Sequence, residues 1–223
     1  YVKTKTSKPI TNVGNIGSGL QGYSDHICDT VAELKTALAS MVGKGYPSWV
    51  DPDGSQIEFL PPDGIRNCYW VSLAGGAACY GGFSCDFWTW PTNPPPGFNI
   101  QKGVYAKNLQ DFLTTTGMPF WTMIPQASLV SNSTVNCCLA NAGSTYMAYI
   151  LSDSSASVDL TAVSGNAYYK LYDPKAGTFS GQSTVAGGAS RNFSRPSGAS
   201  DWVIYVYTTL PSHGQLNVKT AGS

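Results

Sequence analysis

Ile65-Arg66-Asn67-Cys68-Tyr69-Trp70-Val71-Ser72-Leu73-Ala74-Gly75-Gly76-Ala77-Ala78-Cys79-Tyr80-Gly81-Gly82, followed closely by Phe87-Trp88-Thr89-Trp90, is the stretch on which the fold turns. Ile65, Cys68, Tyr69 and Leu73 recur at helical spacing, so the segment after Asp63 reads as a helix with one apolar face. The glycines that follow lead into a short strand whose mouth carries aromatic rings. Arg66 stands near the helix start, where its guanidinium reads as a tie between helix and sheet rather than a ligand contact.

Helices flank this stretch. Thr30-Val31-Ala32-Glu33 is a capping box, in which hydroxyl and carboxylate satisfy free amides at a helix start. Val31, Leu34, Leu38 and Met41 continue it at helical spacing, and Gly43, Gly45 and Pro47 stop it. A third helix over about 102–116 buries Tyr105, Leu109, Phe112 and Leu113 before Gly117 and Pro119. An aromatic loop, 80–98, lies between the second and third helices and closes with Pro94-Pro95-Pro96-Gly97.

Beyond residue 120 the pattern changes to short runs rich in Tyr, Val, Thr and Ile, separated by turn residues. The strands expected are Thr145–Leu151, Ser157–Ala162, Ala167–Tyr172, Thr178–Ser183, Ser190–Ser194 and Trp202–Thr208. Asp173-Pro174-Lys175-Ala176-Gly177 is a turn, with Pro fixing φ and Gly supplying a positive one. Trp70, Trp121 and Trp202 read as core from their phase. The fold class expected is α+β, mostly β, with a C-terminal antiparallel β-sandwich behind an α/β segment. Its divisions are 1–118, 119–210 and a polar tail, 211–223.

Composition narrows the function. Only 12% of the 223 residues are charged, and thirteen basic groups balance thirteen acidic ones, which leaves no basic stripe for nucleic acid. No apolar run approaches the ~18 residues of a membrane span. The two histidines, His26 and His213, are far apart and no Cys-x-x-Cys occurs, so neither a metal site nor a cofactor is expected. The chain has no Gly-x-Ser-x-Gly elbow for a serine nucleophile.

Six cysteines leave many disulfide pairings open: Cys79 with Cys85 closes a short loop, Cys28 reaches Cys68, and buried thiols are the alternative. Cys137 and Cys138 do not pair with each other, because a strand sends neighbours to opposite faces. Asn132-Ser133-Thr134 and Asn192-Phe193-Ser194 are glycosylation sequons at Asn132 and Asn192. These features together read as a secreted, extracellular chain in mature or processed form.

Arg66, Tyr69-Trp70, Leu73-Ala74-Gly75, Tyr80-Gly81, Trp88 and Trp90 resemble the late-barrel signature of a bacterial and fungal glycoside-hydrolase-like family that includes apiosidase-type enzymes. Phe120–Gln126 and Leu139–Tyr146 resemble the family's entry into its C-terminal domain. Tyr172–Gly177 and Asp201-Trp202-Val203 resemble a hairpin turn and final strand of that domain. The similarity covers about 65–208. It implies a (β/α)8 barrel joined to a β-sandwich labelled collagen-binding, with residues 1–118 as a remnant like the last third of the barrel.

The departures count against catalysis. The family presents a catalytic glutamate at the end of a Lys-Pro-Ile strand, whereas Lys8-Pro9-Ile10-Thr11-Asn12 is followed by Val13-Gly14-Asn15. Glu33 belongs to the capping box, and Glu58 lies where no motif reaches. Asp86 is the acid left in the aromatic loop, whereas a glycosidase needs two carboxylates about 5–5.5 Å or roughly 6.5–9.5 Å apart. Tyr80, Trp88 and Trp90 either stack on sugar rings or cover the barrel remnant.

The expected function is therefore a secreted, non-catalytic structural or glycan-associated module, with polysaccharide as partner. Fragment of an active glycosidase and adhesion module are the alternatives. Three explanations account for the short barrel: a processed fragment, a repacked compact protein, or a homo-oligomer or filament whose copies cover one another's open edges.

Overall fold

The computed structural model describes residues 23–25, 30–41, 48–50, 60–77, 79–80 and 100–209. Strands and helices alternate at first: β1 (Tyr23–Asp25), α1 (Val31–Met41), β2 (Ser48–Val50), α2 (Pro62–Ala74), β3 (Cys79–Tyr80) and α3 (Ile100–Thr116). The three strands pair side by side in chain order, and both pairings are parallel. Parallel neighbours need a crossover, which α1 and α2 supply. The strand that precedes α2 is thus Ser48–Val50; Lys8–Asn12, expected in that place, lies outside the described residues.

The local signals explain the helices. Glu33 N donates to Thr30 Oγ1 and Thr30 N donates to Glu33 Oε2, each at 3.2 Å, so the capping box forms and starts α1. α2 begins at Pro62, earlier than the apolar spacing alone implies, because proline's fixed φ suits the first helical turn and its missing N–H costs nothing there. From Ile65 to Ala74 every residue except Asn67 is buried, since α1, α3 and a β-sheet enclose the helix on different sides. α3 ends at Gly117, whose φ of 59° is left-handed.

The rest of the chain is antiparallel. Its strands are β4 (Ile124–Pro125), β5 (Cys137–Asn141), β6 (Thr145–Ile150), β7 (Ser155–Asp159), β8 (Asn166–Asp173), β9 (Thr178–Phe179), β10 (Ser183–Ala186), β11 (Ser190–Ser194) and β12 (Trp202–Tyr207). A seven-stranded sheet runs β10-β8-β12-β6-β5-β4, with β9 added on β8, and β7 pairs with β11 as a separate ribbon. The expected run Thr178–Ser183 divides into β9 and β10, which meet opposite ends of β8. β5, absent from the strand runs expected although strand alternation was applied to Cys137 and Cys138, pairs along its whole length with β6.

Alternation of side chains gives this sheet two buried faces. Met147, Tyr149, Val203, Tyr205 and Tyr207 face the helices and join Leu34, Leu38, Trp70 and Phe112 in one core. Ala148, Ile150, Trp202, Ile204 and Val206 face the other way and pack with Val158 and Phe193 of the ribbon. Cys137 belongs to the first core and Cys138 to the second, as strand alternation requires. Trp70 and Trp202 are fully buried, but Trp121 is 71% exposed: it sits in a 3-10 turn, Phe120–Thr122, where the strand phase that put it in the core does not apply.

Candidate functional site at the carboxyl end of the parallel sheet

In α/β structures, ligands gather where parallel strands end. Here Asp25 pairs with Val50 and Val50 with Tyr80, so an acid, an aliphatic residue and an aromatic one form a single register row at the carboxyl ends of β1, β2 and β3. Two interstrand spacings separate the backbone of Asp25 from that of Tyr80, about 10 Å. Tyr80, expected from sequence either to stack on sugar or to cover the barrel remnant, is thus placed on this row. Asp25 was not anticipated, because a three-residue strand carries no readable periodicity. In the sequence Asp51 follows Val50 directly. Asp86, Trp88, Trp90, Cys28 and Cys85 lie outside the described residues, as do the side chains of Tyr80 and Cys79.

The densest charged cluster lies elsewhere, where α2 meets the antiparallel sheet. Arg66 Nη2 donates to Asp201 Oδ1 at 2.6 Å, and its Nε lies 3.1 and 3.0 Å from the two Asp201 oxygens. Both side chains are 2% exposed. The Tyr149 hydroxyl is within donating distance of Asp201 Oδ2 at 2.9 Å and of Asn67 Oδ1 at 2.8 Å. Arg66 also reaches Asp63, which accepts from Tyr105 Oη at 2.9 Å and from Lys175 Nζ at 3.0 Å. The guanidinium lies 4.6 Å from the centre of the Tyr105 ring.

This arrangement answers the role expected of Arg66: it ties helix to sheet. Burial pushes the Asp63 carboxyl up, but hydrogen bonds from Arg66, Lys175 and Tyr105 outweigh it and leave the group at about 2. A general acid needs the opposite shift. Burial and the neighbouring Asp201 charge hold the Tyr149 phenol well above its ordinary value. Asp63 therefore stays ionised and Tyr149 protonated across the physiological range.

The remaining expected residues are separate from both places. Asn132 is exposed in a left-handed conformation, φ 53°; its amide donates to Asp153 at 3.0 Å and its carbonyl accepts from Thr134 Oγ1 at 3.2 Å. Asn192 is exposed on β11 and accepts from Ser157 Oγ at 3.2 Å. Cys68, Cys137 and Cys138 are buried, and burial pushes the Cys138 thiol up to about 12. Among the described residues no cluster of three or more metal-ligating side chains occurs, and no helix is long and apolar enough to cross a membrane. A cavity of about 70 Å³ between α1, α2 and β5 is lined by Leu38, Val71, Ala74, Pro125 and Cys137, far below the roughly 300 Å³ at the lower end of small-molecule sites.

No family model matches the sequence, and no curated protein matches it. Solved structures do. A glycoside hydrolase family 5 protein from Bacteroides vulgatus superposes with a TM-score of 0.62 at 16% identity, over 79% of this chain and 45% of that one. The fold is glycoside-hydrolase-like. A second glycoside hydrolase gives a TM-score of 0.57 at 18% identity, over 83% of this chain and 47% of its own. A noncanonic maltogenic α-amylase from Thermotoga neapolitana gives 0.56 at 9% identity, over 93% and 56%. The chain spans about half the length of these neighbours, and at such identities the likeness concerns the fold alone.

Proposed function

We propose that the chain corresponds to the last three β/α units of a (β/α)8 barrel together with the C-terminal β-sandwich of an apiosidase-type glycoside-hydrolase-like protein, and that it is a secreted, non-catalytic, glycan-associated module. The observation that carries this reading is the order β1-α1-β2-α2-β3-α3, all parallel, leading into an antiparallel sheet that shares one core with the helices. The glycan lies at the carboxyl end of the parallel sheet, where Tyr80 stands and from which the loop bearing Trp88 and Trp90 departs. Flat rings suit the apolar C–H faces of sugars, and the low charge of the chain suits a neutral one.

Affinity electrophoresis through gels containing soluble polysaccharides tests this reading. The full chain is retarded, and Tyr80→Ala or Trp88→Ala lowers the retardation while the chain stays folded. A Trp88→Ala chain that unfolds instead assigns that ring to the core. Intact mass of native material, with and without deglycosylation, tests secretion through the sugars at Asn132 and Asn192.

One observation favours a second reading, an active glycosidase. Asp25 ends β1 at the carboxyl end of the parallel sheet, and the chain spans about half the length of its hydrolase neighbours, so a second carboxylate on a further barrel strand would complete the pair. Finding the remaining barrel strands on the same native polypeptide, with hydrolysis abolished by Asp25→Asn, would replace the non-catalytic proposal by this one.

A further inference from the structure

Asp63 is the second residue of α2, and its side chain is 52% exposed. Its two oxygens nevertheless accept from three elements: from Arg66 of the same helix, from Tyr105 Oη of α3 at 2.9 Å, and from Lys175 Nζ in the turn between β8 and β9 at 3.0 Å. Ion pairs at such exposure add little to stability. Charge-assisted bonds are directional, however, and three of them together fix where the carboxylate stands.

The turn that supplies Lys175 is anchored independently of Asp63. Asp173 Oδ1 accepts from Lys175 N at 2.8 Å and from Ala176 N at 3.1 Å. Asn108 Nδ2 of α3 donates to Pro174 O at 3.0 Å. Gly177 lies against the same side chain, where an added Cβ would come within 2.7 Å of the Asn108 amide oxygen. Lys175 thus reaches α2 from a turn already seated on α3.

What these bonds hold is the relative position of two helix starts. β2 ends at Val50 and α2 begins at Pro62; β3 ends at Tyr80 and α3 begins at Ile100. Each helix start therefore receives a connection that leaves the carboxyl end of the parallel sheet, and the second connection bears Trp88 and Trp90. Near the end of the first, Leu60 packs on Ile65, Tyr69 and Tyr105. It lies so close to Gly64 that an added Cβ there would come within 2.9 Å of the Leu60 Cβ. A displaced α2 start would carry the arriving chain with it.

We infer that Asp63, with Lys175 as its partner from the antiparallel sheet, is a positioning residue for the glycan site. It sets the spacing of the α2 and α3 starts, and through them the two connections that leave the row of Asp25, Val50 and Tyr80. The inference rests on the reading of that row as the glycan site. It adds a role for the antiparallel sheet, which supports the site without touching sugar.

The test uses the full chain in affinity electrophoresis with a soluble β-glucan, a galactomannan and amylose, beside thermal unfolding. Asp63→Asn is expected to weaken retardation about fivefold, the lower end of ordinary coupling between sites. Its melting temperature should stay within about 4 °C of the parent. Lys175→Gln should do the same, Lys175→Arg should retain the retardation, and the double variant should lose no more than Asp63→Asn alone. Losses that add would mean that each side chain meets the sugar itself, and positioning would be wrong. A drop in retardation on Asp63→Asn matched by a larger fall in melting temperature, with Lys175→Gln silent, would leave Asp63 a purely structural role and overturn the inference. If Asp63→Asn migrates as the parent while Tyr80→Ala and Trp88→Ala are released, the inference falls and the glycan reading survives. If the parent is retarded by none of the three polysaccharides, both fall.

Discussion

On the helix side of the antiparallel sheet, Trp70, Phe112, Tyr149, Tyr172, Tyr205 and Tyr207 pack ring against ring beside the Arg66–Asp201 pair. On the opposite side, Ile150, Val158, Leu160, Ile204 and Val206 surround Trp202 and Phe193 beneath the β7–β11 ribbon. The same strands serve both sides, so the difference is one of chemistry and not of backbone. Trp70 stacks on Tyr149 at 5.9 Å and meets Phe112 edge-on at 5.1 Å, contacts that depend on ring orientation. The ion pair adds bonds that only one geometry satisfies. Aliphatic packing is far less directional.

The helix side also joins the two sequence halves. Arg66 binds Asp201, Asn67 meets Tyr149, and the Tyr172 hydroxyl donates to Asn108 O of α3 at 2.8 Å. The 173–177 turn docks there as well, with Asn108 Nδ2 donating to Pro174 O at 3.0 Å. Directional contacts thus sit where α/β unit and β-sheet must agree on one orientation. Between sheet and ribbon a single ring contact, Tyr169 edge-on to Phe193 at 5.1 Å, accompanies packing that is otherwise mostly aliphatic.

The largest expected break in this contrast is Arg66→Met. Removing one partner strands Asp201 as a buried charge, and stability should fall by about 3–5 kcal/mol in urea unfolding. Adding Asp201→Leu should recover much of the loss; a single variant within 1 kcal/mol of the parent would refute the tie between the halves. Tyr149→Phe keeps the ring and removes the hydroxyl serving Asp201 and Asn67, so a loss of about 1–3 kcal/mol is expected. On the opposite face, Ile204→Val should cost only about 0.5–1.5 kcal/mol. A larger loss there than for Tyr149→Phe would erase the distinction between the faces.

The smallest effect concerns acid. Asp63 is held at about 2 against an ordinary value of 3.8, so its contribution is complete above about pH 4 and disappears as pH falls through about 2. Its side chain is 52% exposed, and solvent screening keeps the contribution below about 1 kcal/mol. Melting temperatures measured from pH 5 to pH 2 should therefore decline slightly more for the parent than for Asp63→Asn. Parallel declines would remove Asp63 from the tie and leave Asp201 as its acidic partner.

Much of the frame was legible from neighbouring residues. Thr30 and Glu33 start α1, Gly117 ends α3, and Asp173 Oδ1 accepts from Lys175 N at 2.8 Å in the turn that Gly177 closes with φ 70°. Each of these signals acts within one turn of chain. Trp121 misled because strand phase was applied to residues that form a 3-10 turn. β1 and β2, each of three residues, are too short to carry a pattern, so the row containing Asp25 could not be read. Trp88 and Trp90, proposed to stack on sugar, lie outside the described residues.

By itself, then, the sequence determined the helices, the turns, the opposite facing of Cys137 and Cys138, and the structural rather than ligand-binding use of Arg66. Only the tertiary structure decided that the partner of Arg66 is Asp201, 135 positions away, that Asp25 and Tyr80 share a register row, and that Trp121 lies in water. Capping, turn formation and alternation are settled among neighbouring residues. Which distant groups meet is settled by burying all the apolar faces at once, and many sequence-distant partners satisfy the local rules equally well.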